Sequence, residues 1–179
     1  MKIFKTILPL FFSLLISTCI HGQNKVDYPY EVFSEIRISD QLSVIELSNT
    51  NLSSEHITIY MGTPDNEECL DLIAYSKCTL LYDGLTLKYT DRYGSFDFDS
   101  ASLTNSTPFI SYEGLNIKVG DNINLLNTSF QKAYYQRGTN SDEEYSVRIG
   151  LIDTSLVIDF IYNVSSDLIT EISISQSNI

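Results

Sequence analysis

Asp97 and Asp99, in the stretch SFDFDS (95–100), are the two carboxylates whose spacing comes closest to a reaction centre. Two residues apart on a strand, they share a face with their Cα atoms about 6.7 Å apart. Glycosidases work with two such carboxylates, one an acid and the other a nucleophile or base. That chemistry needs one of the pair kept protonated by burial or by a close like charge. Here Phe96 and Phe98 take the opposite face, while Lys88 and Thr90 fall alongside the acids if the neighbouring strand pairs with them. The pattern predicts a wet, lysine-flanked pair without a general acid. As a calcium loop, DFDSAS (97–102) starts acidic but lacks the third oxygen ligand, the glycine and the closing glutamate of an EF-hand. His56, in SSEHIT (53–58), is the only histidine beyond residue 22, so no metal site can rest on paired histidines and a Ser–His–Asp triad would have to use it. Its setting reads as a helix surface. The HExxH, GxSxG and P-loop patterns are absent. No cofactor or metal is expected.

Aromatic and cationic residues give a different signal. Tyr75 and Lys77 alternate out of step with Ala74 and Cys78, which places them on the exposed face of their strand. An open sheet carrying Tyr75, Lys77, Lys88, Asp97 and Asp99 has the make-up of a protein-binding surface. The loop QRGTNSDEEY (136–145) is a second candidate contact. The expected function is a non-enzymatic protein-binding or inhibitor-like, immunity-like module. Two alternatives stand beside it: a small carboxylate-based hydrolase or carbohydrate-active protein, and a lipoprotein accessory of outer-membrane assembly.

Strands must hold this face. Leu85, Leu87 and Tyr89 alternate with Thr86, Lys88 and Thr90, behind the turn dipeptide Asp83-Gly84, whose two residues would both take positive φ. AYSKCTLLY (74–82) precedes them. The plan returns later. Tyr145, Val147, Ile149 and Leu151 alternate, then Leu156, Ile158, Phe160 and Tyr162, then Leu168, Thr170, Ile172 and Ile174. A short helix precedes each set: LSSEHITIYMGTPD (52–65), with Ser53 or Ser54 as cap and Gly62 and Pro64 as stop, and VGDNINLLNTSF (119–130) behind Asp121. EVFSEIRIS (31–39) and LNIKV (115–119) read as extended stretches ahead of the helices. The expected class is α+β, two tandem related units of a short helix packed on an antiparallel meander, over 23–104 and 105–179.

Residues 1–22 read as a signal peptide: Lys2 and Lys5, the apolar run ILPLFFSLLI (7–16), and a cut after Gly22. A rival reading takes ISTC (16–19) as a lipobox with Cys19 as the lipidated first residue. No other run approaches a transmembrane length. The expected location is the periplasm or the outer membrane, or outside the cell. Losing Lys2 and Lys5 leaves 9 basic residues against 23 acidic ones, a formal balance of −14. That surface repels nucleic acid and favours basic protein partners. Cys69 and Cys78 remain, an even pair that an oxidising compartment would join as a disulfide.

A helix ending in MGTPD (61–65), then a meander with a DGL turn (83–85), resembles the small envelope repeats of outer-membrane assembly lipoproteins of the SmpA/OmlA type. It is also similar to the tandem helix-plus-sheet units of β-lactamase inhibitor protein. Those families often carry a tryptophan on the first meander strand, and this chain has none. Its second copy reads NTSF (127–130) where the first has the Gly-x-Pro step. The resemblance implies an envelope module that binds protein without catalysis.

Overall fold

Alternating apolar and polar residues need a partner surface on one side only, and that requirement builds most of this protein. The computed structural model describes residues 25–48, 53–93, 95–139 and 143–176. The expected signal segment and Cys19 lie outside the described residues. In chain order the elements are β1 (Val26–Tyr28), α1 (Tyr30–Glu35), β2 (Arg37–Ile38), β3 (Leu42–Ser43), α2 (Val44–Leu47) and α3 (Ser54–Met61). Then come β4 (Asn66–Asp71), β5 (Ser76–Tyr82), β6 (Leu85–Arg92), β7 (Ser95–Leu103), β8 (Phe109–Tyr112) and β9 (Leu115–Lys118). A 3-10 turn (Ile123–Leu125) leads into α4 (Leu126–Ser129), α5 (Gln131–Tyr135), β10 (Gly138–Thr139), β11 (Glu144–Leu151), β12 (Leu156–Asn163) and β13 (Leu168–Gln176). The class is α+β, mostly sheet with a few short helices.

The larger sheet runs β1-β11-β12-β13-β7-β6-β5-β4, with β10 also on β11. Among the described strands only β1 joins it in parallel. At its centre β7 meets β13, with Ala101 opposite Ile174 and Leu103 opposite Ile172. The smaller sheet runs β3-β2-β8-β9 and is centred on Ile38 opposite Ile110. The inward residues of both sheets join Phe33, Leu47, Ile57, Leu126, Phe130 and Ala133 of the helices in one continuous apolar core.

Local chemistry sets the element ends. The Ser53 hydroxyl caps α3 by accepting from the His56 amide, and Gly62 ends it at φ 81°. Asn122, not the expected Asp121, caps the 3-10 turn. The Asp121 carboxylate instead accepts from the Lys118 amide at 2.9 Å. At the β5–β6 turn only Gly84 takes a positive φ, 74°, and Asp83 does not. Both residues are positive in the Glu113-Gly114 turn, at 49° and 78°. The Asp83 carboxylate accepts from Asn105 Nδ2 and Thr107 Oγ1, both at 2.9 Å, and so ties the joint between the meanders to the first hairpin. A side chain at Gly84 would collide with the Asn105 amide held in that clamp.

Four further expectations fail. Residues 30–35 form a helix in place of an extended stretch, because Phe33 and Ile36, three apart, turn into the core together behind Pro29. The first meander has a fourth strand, β4, where the acidic DNEECLD (65–71) carried no alternation. Ala74 and Tyr75 lie in the turn ahead of β5. On β13 a bulge opposite Ile161 and Tyr162 leaves Thr170 unmatched, so Ile169 is buried while Leu168 and Thr170 face out.

Cys69 stands directly opposite Cys78 on β4 and β5, with Cα atoms 4.1 Å apart and the sulfurs joined. Closing a loop whose ends are 9 residues apart contributes about 2.7 kcal/mol in the chain-entropy account. Reduction should lower the urea midpoint accordingly. An unchanged midpoint after verified reduction would refute this.

Candidate protein-binding face

The five residues expected to form a face come from the turn before β5 and from β5, β6 and β7. Antiparallel pairing sets Lys77 opposite Thr90, Thr79 opposite Lys88, and Thr90 opposite Asp97. Because alternate residues share a face, Lys77, Lys88 and Asp97 all point away from the core. A bulge opposite Lys88 and Tyr89 leaves Asp99 unmatched between Phe98 and Ser100. Strict alternation is lost there, yet the Asp99 carboxylate stays on the polar side, accepting from Thr90 Oγ1 at 2.9 Å. Lys77, Lys88 and Asp99 line one shallow depression of about 440 Å³ with Thr79, Cys78 and Tyr89. Tyr75 and Asp97 meet through Arg92, a residue that strand alternation alone does not single out. Arg92 holds its guanidinium 6.0 Å from the Tyr75 ring centroid and its Nε 3.4 Å from Asp97 Oδ2.

The face continues across the central seam. Ser100 and Ser102 lie opposite Ser175 and Ser173, and the Ser102 hydroxyl donates to Glu171 Oε1 at 2.7 Å. Beyond them Arg148 grips Asp159 with two hydrogen bonds, Nε to Oδ1 at 2.7 Å and Nη2 to Oδ2 at 2.9 Å. This pair was legible in principle. Once the turn at Asp153-Thr154 is placed, antiparallel counting sets Arg148 opposite Asp159. Residues 140–142 of the loop expected as a second contact lie outside the described residues; before them Arg137 lies 4.5 Å over the Tyr134 ring.

At the edge of this region Glu67 Oε1 accepts from the Tyr89 hydroxyl at 3.2 Å and stands beside the disulfide. With both sulfurs bonded to each other, neither is the thiolate a metal would need. Burial first, then the Glu67 charge, raises the Tyr89 phenol well above its ordinary value. Burial is also the largest cause raising Tyr28, Tyr82, Tyr112 and Tyr162. A phenol raised in the folded state ionises first in the unfolded chain, so the native form holds more protons at alkaline pH. Stability from these tyrosines is whole below pH of about 10 and is lost as pH rises through the folded values. Urea midpoints should hold up to about pH 10 and fall beyond it. A midpoint that rises there would contradict the assignment.

Among the described residues no helix is long and apolar enough to cross a membrane. No family model matches the chain, and no curated protein matches it. Among solved structures, a protein of Streptococcus mutans described as a "putative beta-lactamase inhibitor protein" is similar to 69% of this chain and 82% of its own. The two are 16% identical with a TM-score of 0.26, a loose resemblance only.

Proposed function

We propose that this chain is an exported, non-enzymatic module that binds a protein partner through the outer face of β5, β6 and β7. The observation that supports the reading is that Lys77, Lys88, Asp97 and Asp99 lie on the outer side of β5 to β7, with Tyr75 in the adjoining turn and reached by Arg92. Its acids are matched by neighbours, Asp97 by Arg92 and Asp99 by Thr90. An array of cations, carboxylates and an aromatic ring suits contact with another protein surface. Export is supported by the basic start and apolar run of residues 1–22 and by a disulfide that suits an oxidising compartment. The periplasm, the outer membrane or the exterior would then be its site of action.

We also read the fold as two related units, 23–104 and 105–179. The strand order supports this, since from the central β7–β13 seam each arm steps outward through its own meander. Bulges at Asp99 and Thr170 fall at matching steps, beside Tyr89 paired with Phe98 and Tyr162 paired with Ile169.

The test is affinity capture from envelope extract with the mature protein, compared with the Lys77→Glu and Lys88→Glu variants. A bound protein lost with both, and retained by Lys132→Glu on α5, is the expected result. Capture unchanged by the face variants would remove the proposal.

A further inference from the structure

The free edge of the larger sheet at β4 combines openness, rigidity and charge. All six of its residues are exposed, and among the described residues β5 is its single neighbour. Its pairing with β5 runs from Asn66–Leu81 to Asp71–Ser76 without a bulge, whereas β6–β7 and β12–β13 are both interrupted. At the other margin β1 has three residues and β10 two, too short to template much. Leu72 N–H donates to the Tyr75 carbonyl at 2.8 Å, which marks Leu72–Tyr75 as a hydrogen-bonded pair. Antiparallel alternation then turns the backbone N–H and C=O groups of Glu67, Cys69 and Asp71 toward the open side. The disulfide holds the middle of this row against β5.

Three of the six residues are acidic. Glu67 and Asp71 flank the disulfide on one face, and Glu68 lies between Asn66 and Leu70 on the other. Each acid is steadied by a neighbour: Glu67 by Tyr89, Glu68 by Asn66 Nδ2 at 3.0 Å, and Asp71 by Ser76 Oγ at 2.6 Å. A second copy of the chain pairing here would bring acids against acids, which disfavours a β4–β4 dimer. A strand bearing lysine or arginine meets no such repulsion.

We propose that β4 is an acceptor edge for an extended, basic segment of a protein partner, which adds to the sheet as a further strand. The segment bears cations opposite Glu67, Glu68 and Asp71, an apolar residue opposite the disulfide and another beside Leu70. Main-chain hydrogen bonds to Glu67, Cys69 and Asp71 fix its register, and the acids select its charge.

The hexapeptide KLVKKT, in antiparallel register, meets those requirements and is the probe. Labelled with a fluorophore and titrated with the oxidised mature protein, it should give saturable anisotropy. Backbone amides of Glu67, Cys69 and Asp71 should gain protection from hydrogen exchange. The same peptide N-methylated at alternate amides should bind about 10-fold more weakly, because it keeps the charge and loses the ladder. Glu67→Lys and Glu68→Lys should each weaken binding about 10-fold. Absence of saturable binding would overturn the proposal. So would equal binding of the N-methylated peptide, or protection confined to the Lys77–Lys88 face. The capture experiment on that face reads separately, so each result stands without the other.

Discussion

Replacing Phe130 with alanine should remove about 3–5 kcal/mol of folding stability. Phe130 is fully buried where α4 meets α5, and its ring joins parts of the chain that are distant in sequence. Tyr112 of β8 stacks on it at 5.0 Å between centroids, Tyr28 of β1 meets it edge-on at 5.6 Å, and Phe160 of β12 lies tilted at 6.2 Å. Alanine would leave a cavity lined by three aromatic rings from three strands, which cannot all move inward to fill it. Domains of this kind have roughly 5–15 kcal/mol in total, so the variant should lie near the edge of folding. Urea denaturation of the wild type, Phe130→Ala and Phe130→Leu measures this. The leucine variant should recover most of the loss. An alanine variant within about 1 kcal/mol of wild type would mean that the ring is not the keystone described.

Arg148→Ala should cost about 3 kcal/mol, toward the lower end of what breaking a buried pair costs, because the arginine is partly solvated. The side chains of Arg148 and Asp159 are 31% and 11% exposed. Two short hydrogen bonds fix the guanidinium in the plane of the carboxylate. Removing the cation strands a carboxylate in a nearly dry site. Removing both charges does not, so Arg148→Met combined with Asp159→Leu should be markedly more stable than Arg148→Ala. The decisive comparison is a double-mutant cycle by urea unfolding of Arg148→Met, Asp159→Leu and the two combined. If the single and double variants were equally destabilised, the penalty would lie in packing, and the account of a stranded charge would fail.

The two effects fall on opposite sides of one sheet. Phe130 supports the inner face, and Arg148 with Asp159 braces the outer face beyond the serines of the seam. None of the three belongs to the array on β5 to β7, so a partner lost with Lys77→Glu should still bind the double variant at a temperature where it is folded.

Period-two patterning on its own determined six strands, β5 to β7 and β11 to β13, because one wet and one buried side is a property of consecutive residues. The stop at Gly62 and the pairing of Cys69 with Cys78 were also local or countable, and the cap was narrowed to Ser53 or Ser54. Lys77, Lys88 and Asp97 could be placed on the outward side for the same reason, whereas Tyr75 falls in the turn before β5 and Asp99 at a bulge. The sequence did not reveal β4, an acidic stretch held as a strand by its ladder with β5 and its disulfide. Nor did it show α1, where Val32, Ser34, Ile36 and Ile38 imitate alternation while Phe33 and Ile36 turn inward together. Arg92 continues the Lys88 and Thr90 alternation, but its reach to Asp97 and Tyr75 came only from the fold. The bulges that moved Asp99 and exchanged Ile169 for Thr170 depend on which residue stands across the ladder. So does the β7–β13 seam that makes one sheet of the two meanders. A strand's facing pattern is written in its own residues, but its neighbour and register are set by contacts between residues far apart in the chain, and only the assembled fold decides those.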